Sequence, residues 1–163
     1  MNILLIGMPT SGKSTVGVIL AKMKGMDFLD TDLLIQSKTG ERLSEIIETE
    51  GTTGFLKVEE SVCSNIFVDN TVIATGGSVV YSEAAMKSLK KNAITVYLQI
   101  SLQELKQRLR ETKQRGVVLR EGESIEELYA EREELYRHFA DVTVSEEGLT
   151  LEKTVCAVME MVP

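Results

Sequence analysis

Residues 7–14 read Gly7-Met8-Pro9-Thr10-Ser11-Gly12-Lys13-Ser14, the G-x-x-x-x-G-K-[ST] spacing of a phosphate-binding loop. Its glycines let backbone N–H groups turn inward around phosphate oxygens with no Cβ in the way. Lys13 adds a point charge for the β- and γ-phosphates, and Ser14 offers a hydroxyl to Mg2+. An apolar run, Ile3 to Ile6, precedes the loop, and Val16, Ile19, Leu20 and Met23 follow at helical spacing. The loop thus joins a strand to a helix whose positive end faces the phosphates. The reading is ATP held by Gly7, Pro9, Thr10, Ser11, Gly12, Lys13, Ser14 and Thr15. A phosphate loop alone does not choose between kinase, motor and switch. The strand-like runs Thr71–Ala74 and Ile94–Leu98 are followed by Thr75 and Gln99 rather than an acid, and no Asn-Lys-x-Asp motif occurs. Both absences argue against a GTPase switch or an ATPase motor.

Other groups with chemical potential lie elsewhere. Asp30 and Asp32 stand two apart at the end of Phe28-Leu29-Asp30-Thr31-Asp32. Continued extended backbone points both the same way. One would then orient Mg2+ together with Ser14, and the other would hold an acceptor hydroxyl and take its proton. The structural alternative is Asp32 or Thr31 capping a helix that follows. Arg132 falls on the apolar helical stripe Ile125, Leu128, Tyr129, Leu135, Tyr136 and Phe139. An inward guanidinium needs an anionic answer, either an acceptor carboxylate or phosphate or an internal ion pair. Glu59 falls likewise on the stripe Phe55, Val58, Val62, Cys63 and Ile66, which suggests an inward acid of structural use. Thr75-Gly76-Gly77-Ser78 follows a strand-like run, so Gly76 and Gly77 either line a ligand site or make a simple turn.

These residues need a frame, and the apolar patterning supplies one. Strand-like runs at 3–6, 26–29, 71–74, 94–98 and, weakly, 142–144 alternate with helical patterns near 43–50, 54–67, 82–90, 101–111, 124–139 and 150–161. Such alternation implies an α/β domain, a parallel sheet with helices on both faces. The 163 residues suit one domain. The charge-rich stretch 112–123 contains Gly116 and Gly122 and is either a surface loop or a lid over a site. A net charge of −7 argues against a nucleic-acid partner. No segment has the length of a membrane span, and no signal peptide is evident. Cys63 and Cys156 match no metal or redox spacing, as expected of free thiols in a reducing cytoplasm.

Taken in order from Gly7 to Tyr136, these elements resemble shikimate kinases. Residues 28–32 look like the family's Asp-x-Asp motif and residues 54–59 its Phe-Arg-x-x-Glu helix. Residues 74–78 look like its triple-glycine loop, Arg115 to Leu119 its Arg-Pro-Leu-Leu lid, and Arg132 to Tyr136 its Arg-x-x-Leu-Tyr helix. The resemblance implies a three-layer α/β/α P-loop kinase fold with a five-stranded parallel sheet of order 2-3-1-4-5, in a single domain spanning 1–163 with a lid at about 112–123. It implies ATP-dependent phosphorylation of shikimate in aromatic amino-acid biosynthesis, by a cytoplasmic monomer. Lys13, Asp32 and Arg115 would be catalytic, Ser14 and Asp30 would hold Mg2+, and Arg108 or Arg110 would flank the adenine. Asp32, Gly76, Gly77 and Arg132 would bind the acceptor, with Arg132 on its carboxylate. Three departures fall on the acceptor side or the lid: Leu56 replaces the arginine of Phe-Arg, Ser78 the third glycine, and Gly116 the lid proline. They keep open a same-fold kinase for a gluconate-like sugar acid or a nucleotide, and a weakly catalytic nucleotide-binding module.

Overall fold

A computed structural model describes residues 1–112 and 121–163. Its strands are β1 (Asn2–Gly7), β2 (Asp27–Asp30), β3 (Thr71–Ala74), β4 (Ala93–Gln99) and β5 (Val142–Ser145). The helices are α1 (Lys13–Lys24), α2 (Thr31–Thr39), α3 (Leu43–Ser64), α4 (Glu83–Lys90), α5 (Leu102–Glu111), α6 (Ile125–Phe139) and α7 (Leu151–Met161). Among the described residues the strands form one sheet of order β2-β3-β1-β4-β5. Every pairing is parallel.

The period of two in β1 divides the core. Leu4 and Ile6 face one side, with Ile73, Tyr97, Met86, Leu105, Leu128 and Tyr136. Ile3 and Leu5 face the other, with Val16 and Leu20 of α1 and Val155 and Val158 of α7. A strand buried on both faces must be apolar at every position, which is why β1 reads as a continuous run. A third apolar cluster, Ile35, Ile46, Phe55 and Val62, joins α2 to α3. Because all five strands run the same way, the loops after β1, β2 and β3 converge at their carboxyl ends, the usual place for a ligand in such sheets. Among the described residues no helix is long and apolar enough to cross a membrane.

Two local expectations need correction. The backbone is extended only as far as Asp30 (φ −105°, ψ 119°). The Asp30 carboxylate then accepts from the N–H groups of Asp32 and Leu33 at 2.9 and 3.2 Å. Asp30 therefore caps α2, and Asp32 sits in its first turn rather than two places along a strand. The patterns at 43–50 and 54–67 are two helical segments, as read, meeting at the non-helical Gly51 (φ 71°, ψ −179°) within α3, but the second ends at Ser64 rather than at 67. The stretch read as a lid, with Arg115, falls largely at 113–120, outside the described residues.

Candidate active site

A cleft of about 510 Å³ opens at the carboxyl ends of β1, β2 and β3. Its lining includes Pro9, Thr10, Gly12, Lys13, Ser14 and Thr15 of the phosphate loop, and Asp30 and Asp32 at the start of α2. Glu59 of α3, Gly76 and Gly77 after β3, and Arg132 of α6 complete the opposite wall.

The loop is shaped for an anion. Thr10 (φ 69°) and Gly12 (φ 83°) take left-handed conformations, which turn successive N–H groups toward one point. The N-terminus of α1 follows at once, so helix dipole and amides act on the same spot. Lys13 is buried, its Nζ donating to the carbonyls of Gly7 and Met8 at 2.8 and 2.7 Å and to Ser11 Oγ at 3.3 Å. The lysine therefore ties the loop together as well as charging it.

Ser14 Oγ donates to Asp30 Oδ2 at 2.5 Å, while Asp30 Oδ1 caps α2. A hydroxyl and a carboxylate oxygen side by side form a hard-cation donor set that suits Mg2+ shared with substrate phosphates. Among the described residues there is no cluster of three His, Cys, Asp or Glu side chains for a self-contained metal site. Arg108 of α5 reaches the loop and donates through Nη1 to the Thr10 carbonyl at 2.8 Å, whereas Arg110 is exposed.

The wall opposite the phosphate loop is crowded with charge. A Cβ on Gly76 would stand 2.8 Å from both Asp32 Oδ1 and Glu59 Oε2. On Gly77 it would stand 3.0 Å from Arg132 Nη1 and from Pro9 Cδ. The two glycines thus bring the backbone against Asp32, Glu59 and Arg132, a closer approach than a simple turn requires. Arg132 is 2 % exposed. One helical turn later, Tyr136 donates its hydroxyl to the Gly77 carbonyl at 2.5 Å, fixing α6 against this loop.

Glu59, also 2 % exposed, accepts from Ser78 Oγ at 2.7 Å through Oε1, and its Oε2 has no hydrogen-bond partner among the described residues. Burial pushes its carboxyl up to about 7, with Asp32 adding to the rise and Ser78 and Arg132 opposing it. On the nucleotide side, burial likewise raises Glu146, just after β5, to about 7 against the pull of Arg108 and Lys13.

Known proteins share this arrangement. A sequence profile for shikimate kinase matches residues 9–163. A shikimate kinase from Thiobacillus denitrificans is 39% identical over 147 residues, covering 88% of this chain and 80% of that one. One from Francisella tularensis subsp. holarctica is 36% identical, covering 94% and 90%. The solved shikimate kinase of Acinetobacter baumannii in complex with shikimate superposes with a TM-score of 0.87 at 31% identity, covering 98% and 91%. This chain belongs to the shikimate kinase family.

As a shikimate kinase family member it departs at position 56, and the structure gives that departure a place. Leu56 lines a separate cavity of about 170 Å³, with Thr53, Lys57, Glu60 and Tyr81. Glu59 and Ser78 form the partition and line both spaces. Gln36, Arg42, Ser44 and Phe55 also line the main cleft, and reading the sequence alone did not pick out their role there. Arg42 carries no signal, because an arginine ahead of a helix reads as an ordinary solvated residue. Gln36 was hidden because the helix after Asp32 was read only as an alternative and given no extent.

Proposed function

We propose that this protein transfers the γ-phosphoryl group of MgATP to a ring hydroxyl of shikimate, giving shikimate 3-phosphate. One observation carries the reading: a single cleft is lined by the phosphate loop, by Asp32 and by the buried Arg132. Asp32 stands where it can hold the acceptor hydroxyl and take its proton as the new P–O bond forms and the bond to ADP breaks. Lys13 offsets charge on the transferring group. Ser14 and Asp30 would hold Mg2+, which would supply neutralisation of phosphate charge. Arg132 grips the acceptor carboxylate with a planar fork that matches it. Arg108 flanks the nucleotide, and Arg115 is a second cation for the phosphoryl group. The working unit is a monomer, placed in the cytoplasm where ATP is supplied.

Leu56 favours one second reading, a kinase of the same fold for a gluconate-like sugar acid or a nucleotide. ADP release with shikimate, gluconate and nucleoside monophosphates, with the product identified by phosphorus NMR, separates the readings. Shikimate should give the highest kcat/KM by about 100-fold, the scale on which loss of one charged contact acts. Faster turnover of gluconate or a nucleotide would replace shikimate as the acceptor. ADP release that no acceptor stimulates would leave a nucleotide-binding module.

A further inference from the structure

Two tyrosines hydrogen-bond Arg132: Tyr136 from its own helix and Tyr81 from outside it. Tyr81 ends the short 3-10 turn Val79–Tyr81. That turn is closed by Val79 N–H to the Gly76 carbonyl at 3.3 Å, Tyr81 N–H to Ser78 at 3.1 Å and Ser82 N–H to Val79 at 3.0 Å. Val79 and Val80 anchor it in the core, so Tyr81 is carried on a rigid mount. Its ring lies under the Arg132 guanidinium, 5.2 Å from centroid to Cζ. Its hydroxyl accepts from Arg132 Nε at 3.3 Å. One side chain therefore fixes both the face and one edge of the fork, by cation–π attraction and by a hydrogen bond.

With Nε engaged on Tyr81, Nη1 stands 3.0 Å from the Cβ position of Gly77, on a residue that lines the cleft. The packing of the turn does not depend on a tyrosine here, since Tyr81 is only half-buried and the valines make the core contacts. We propose that Tyr81 is a positioning residue of the acceptor site, acting with Tyr136 to hold Arg132 toward the acceptor carboxylate. This rests on the carboxylate-acceptor reading above.

The test compares shikimate with its methyl ester, which keeps the hydroxyls and lacks the charge. Tyr81→Phe removes the hydroxyl and keeps the ring, and Tyr81→Leu removes both. Kinetics on each acceptor, the KM for ATP and calorimetric binding of shikimate without nucleotide are measured for wild type and both variants. The wild type should prefer shikimate to the ester. Tyr81→Phe should cut that preference about fivefold and Tyr81→Leu about 30-fold, the size expected for losing a hydrogen bond and then a cation–π contact as well. The loss should appear in the acceptor's KM and Kd, with kcat and the KM for ATP within about twofold, because those contacts lie elsewhere. A tyrosine that merely packs the turn would shift both acceptors alike. Full preference in both variants overturns the role of Tyr81 and leaves the acceptor reading standing. No preference in the wild type, or no turnover of shikimate, overturns the acceptor reading and the role of Tyr81 with it. Should Tyr81→Leu fail to fold, the phenylalanine variant decides by the same ratio.

Discussion

Replacing Glu59 by glutamine should make the protein more stable at pH 8 and leave it nearly unchanged at pH 5. Burial raises the Glu59 carboxyl from 4.5 to about 7, so between those values the folded chain holds a proton that the unfolded chain has released. Stability contributed by this group is therefore complete below about pH 4.5 and is lost as pH rises through 7. Each tenfold difference in proton affinity is about 1.4 kcal/mol, so the loss approaches roughly 3 kcal/mol by pH 8. Glutamine mimics the protonated acid: its oxygen keeps the bond from Ser78 Oγ, 2.7 Å in the wild type, and its amide replaces an Oε2 that has no hydrogen-bond partner among the described residues. Beside Asp32 that amide is a donor facing an acceptor, which favours it further. For a chain of this size, roughly 3 kcal/mol is about 6–12 °C in Tm. Thermal unfolding of both proteins from pH 5 to 8 gives the gap directly, and Glu146, raised in the same way, cancels in the comparison. A gap that stays constant with pH, or a wild type that is the more stable at pH 8, would refute the reasoning.

Lys13→Ala should lower kcat by roughly 10²–10³-fold, and the lost loop bonds should also lower stability by about 1–3 kcal/mol, read by kinetics and by Tm. Asp30→Asn keeps an oxygen to cap α2 while removing the charge beside Ser14. It should raise the Mg2+ concentration for half-maximal rate by about 10- to 100-fold at nearly constant Tm, and an unchanged Mg2+ titration would remove Asp30 from the metal site. Gly77→Ala drives a methyl to 3.0 Å from Arg132 Nη1 and Pro9 Cδ. The acceptor KM should rise about tenfold, the scale of a one-to-two kcal/mol overpacking strain, and more than the KM for ATP.

Much of this was legible in the residues, for identifiable reasons. A strand buried on both faces must be apolar throughout, so β1 and β4 announce themselves, and the phosphate loop needs its residue types at fixed spacing. Strand order carries no such local mark, and it came only from the resemblance. Helix α2 entered only as an alternative, a helix for Asp32 or Thr31 to cap, because its apolar residues, Leu33, Leu34 and Ile35, are consecutive and show no helical period. Helix α3 read as two segments because Gly51, Thr52, Thr53 and Gly54 are poor helix formers, and the non-helical Gly51 bears that reading out. The inward placement of Arg132 and Glu59 could be read from their stripes. The rest of the acceptor wall could not, since Tyr81 and Gln36 look like any half-exposed residue until the fold puts them beside the cleft.

The break at Gly51 has a consequence for how this site could be redesigned. Its torsions, φ 71° and ψ −179°, lie in a region essentially reserved for glycine. Yet a side chain there would meet nothing within 4 Å. The penalty of any other residue is thus purely torsional, and it is relieved only by straightening the helix. Leu43, Ser44 and Ile47 line the cleft from one side of the break, and Phe55 and Glu59 from the other. Position 51 is therefore a control on the width of the acceptor compartment that touches no ligand. An engineer, or a lineage drifting toward a bulkier acceptor, could resize the compartment there without altering a single residue that recognises the substrate.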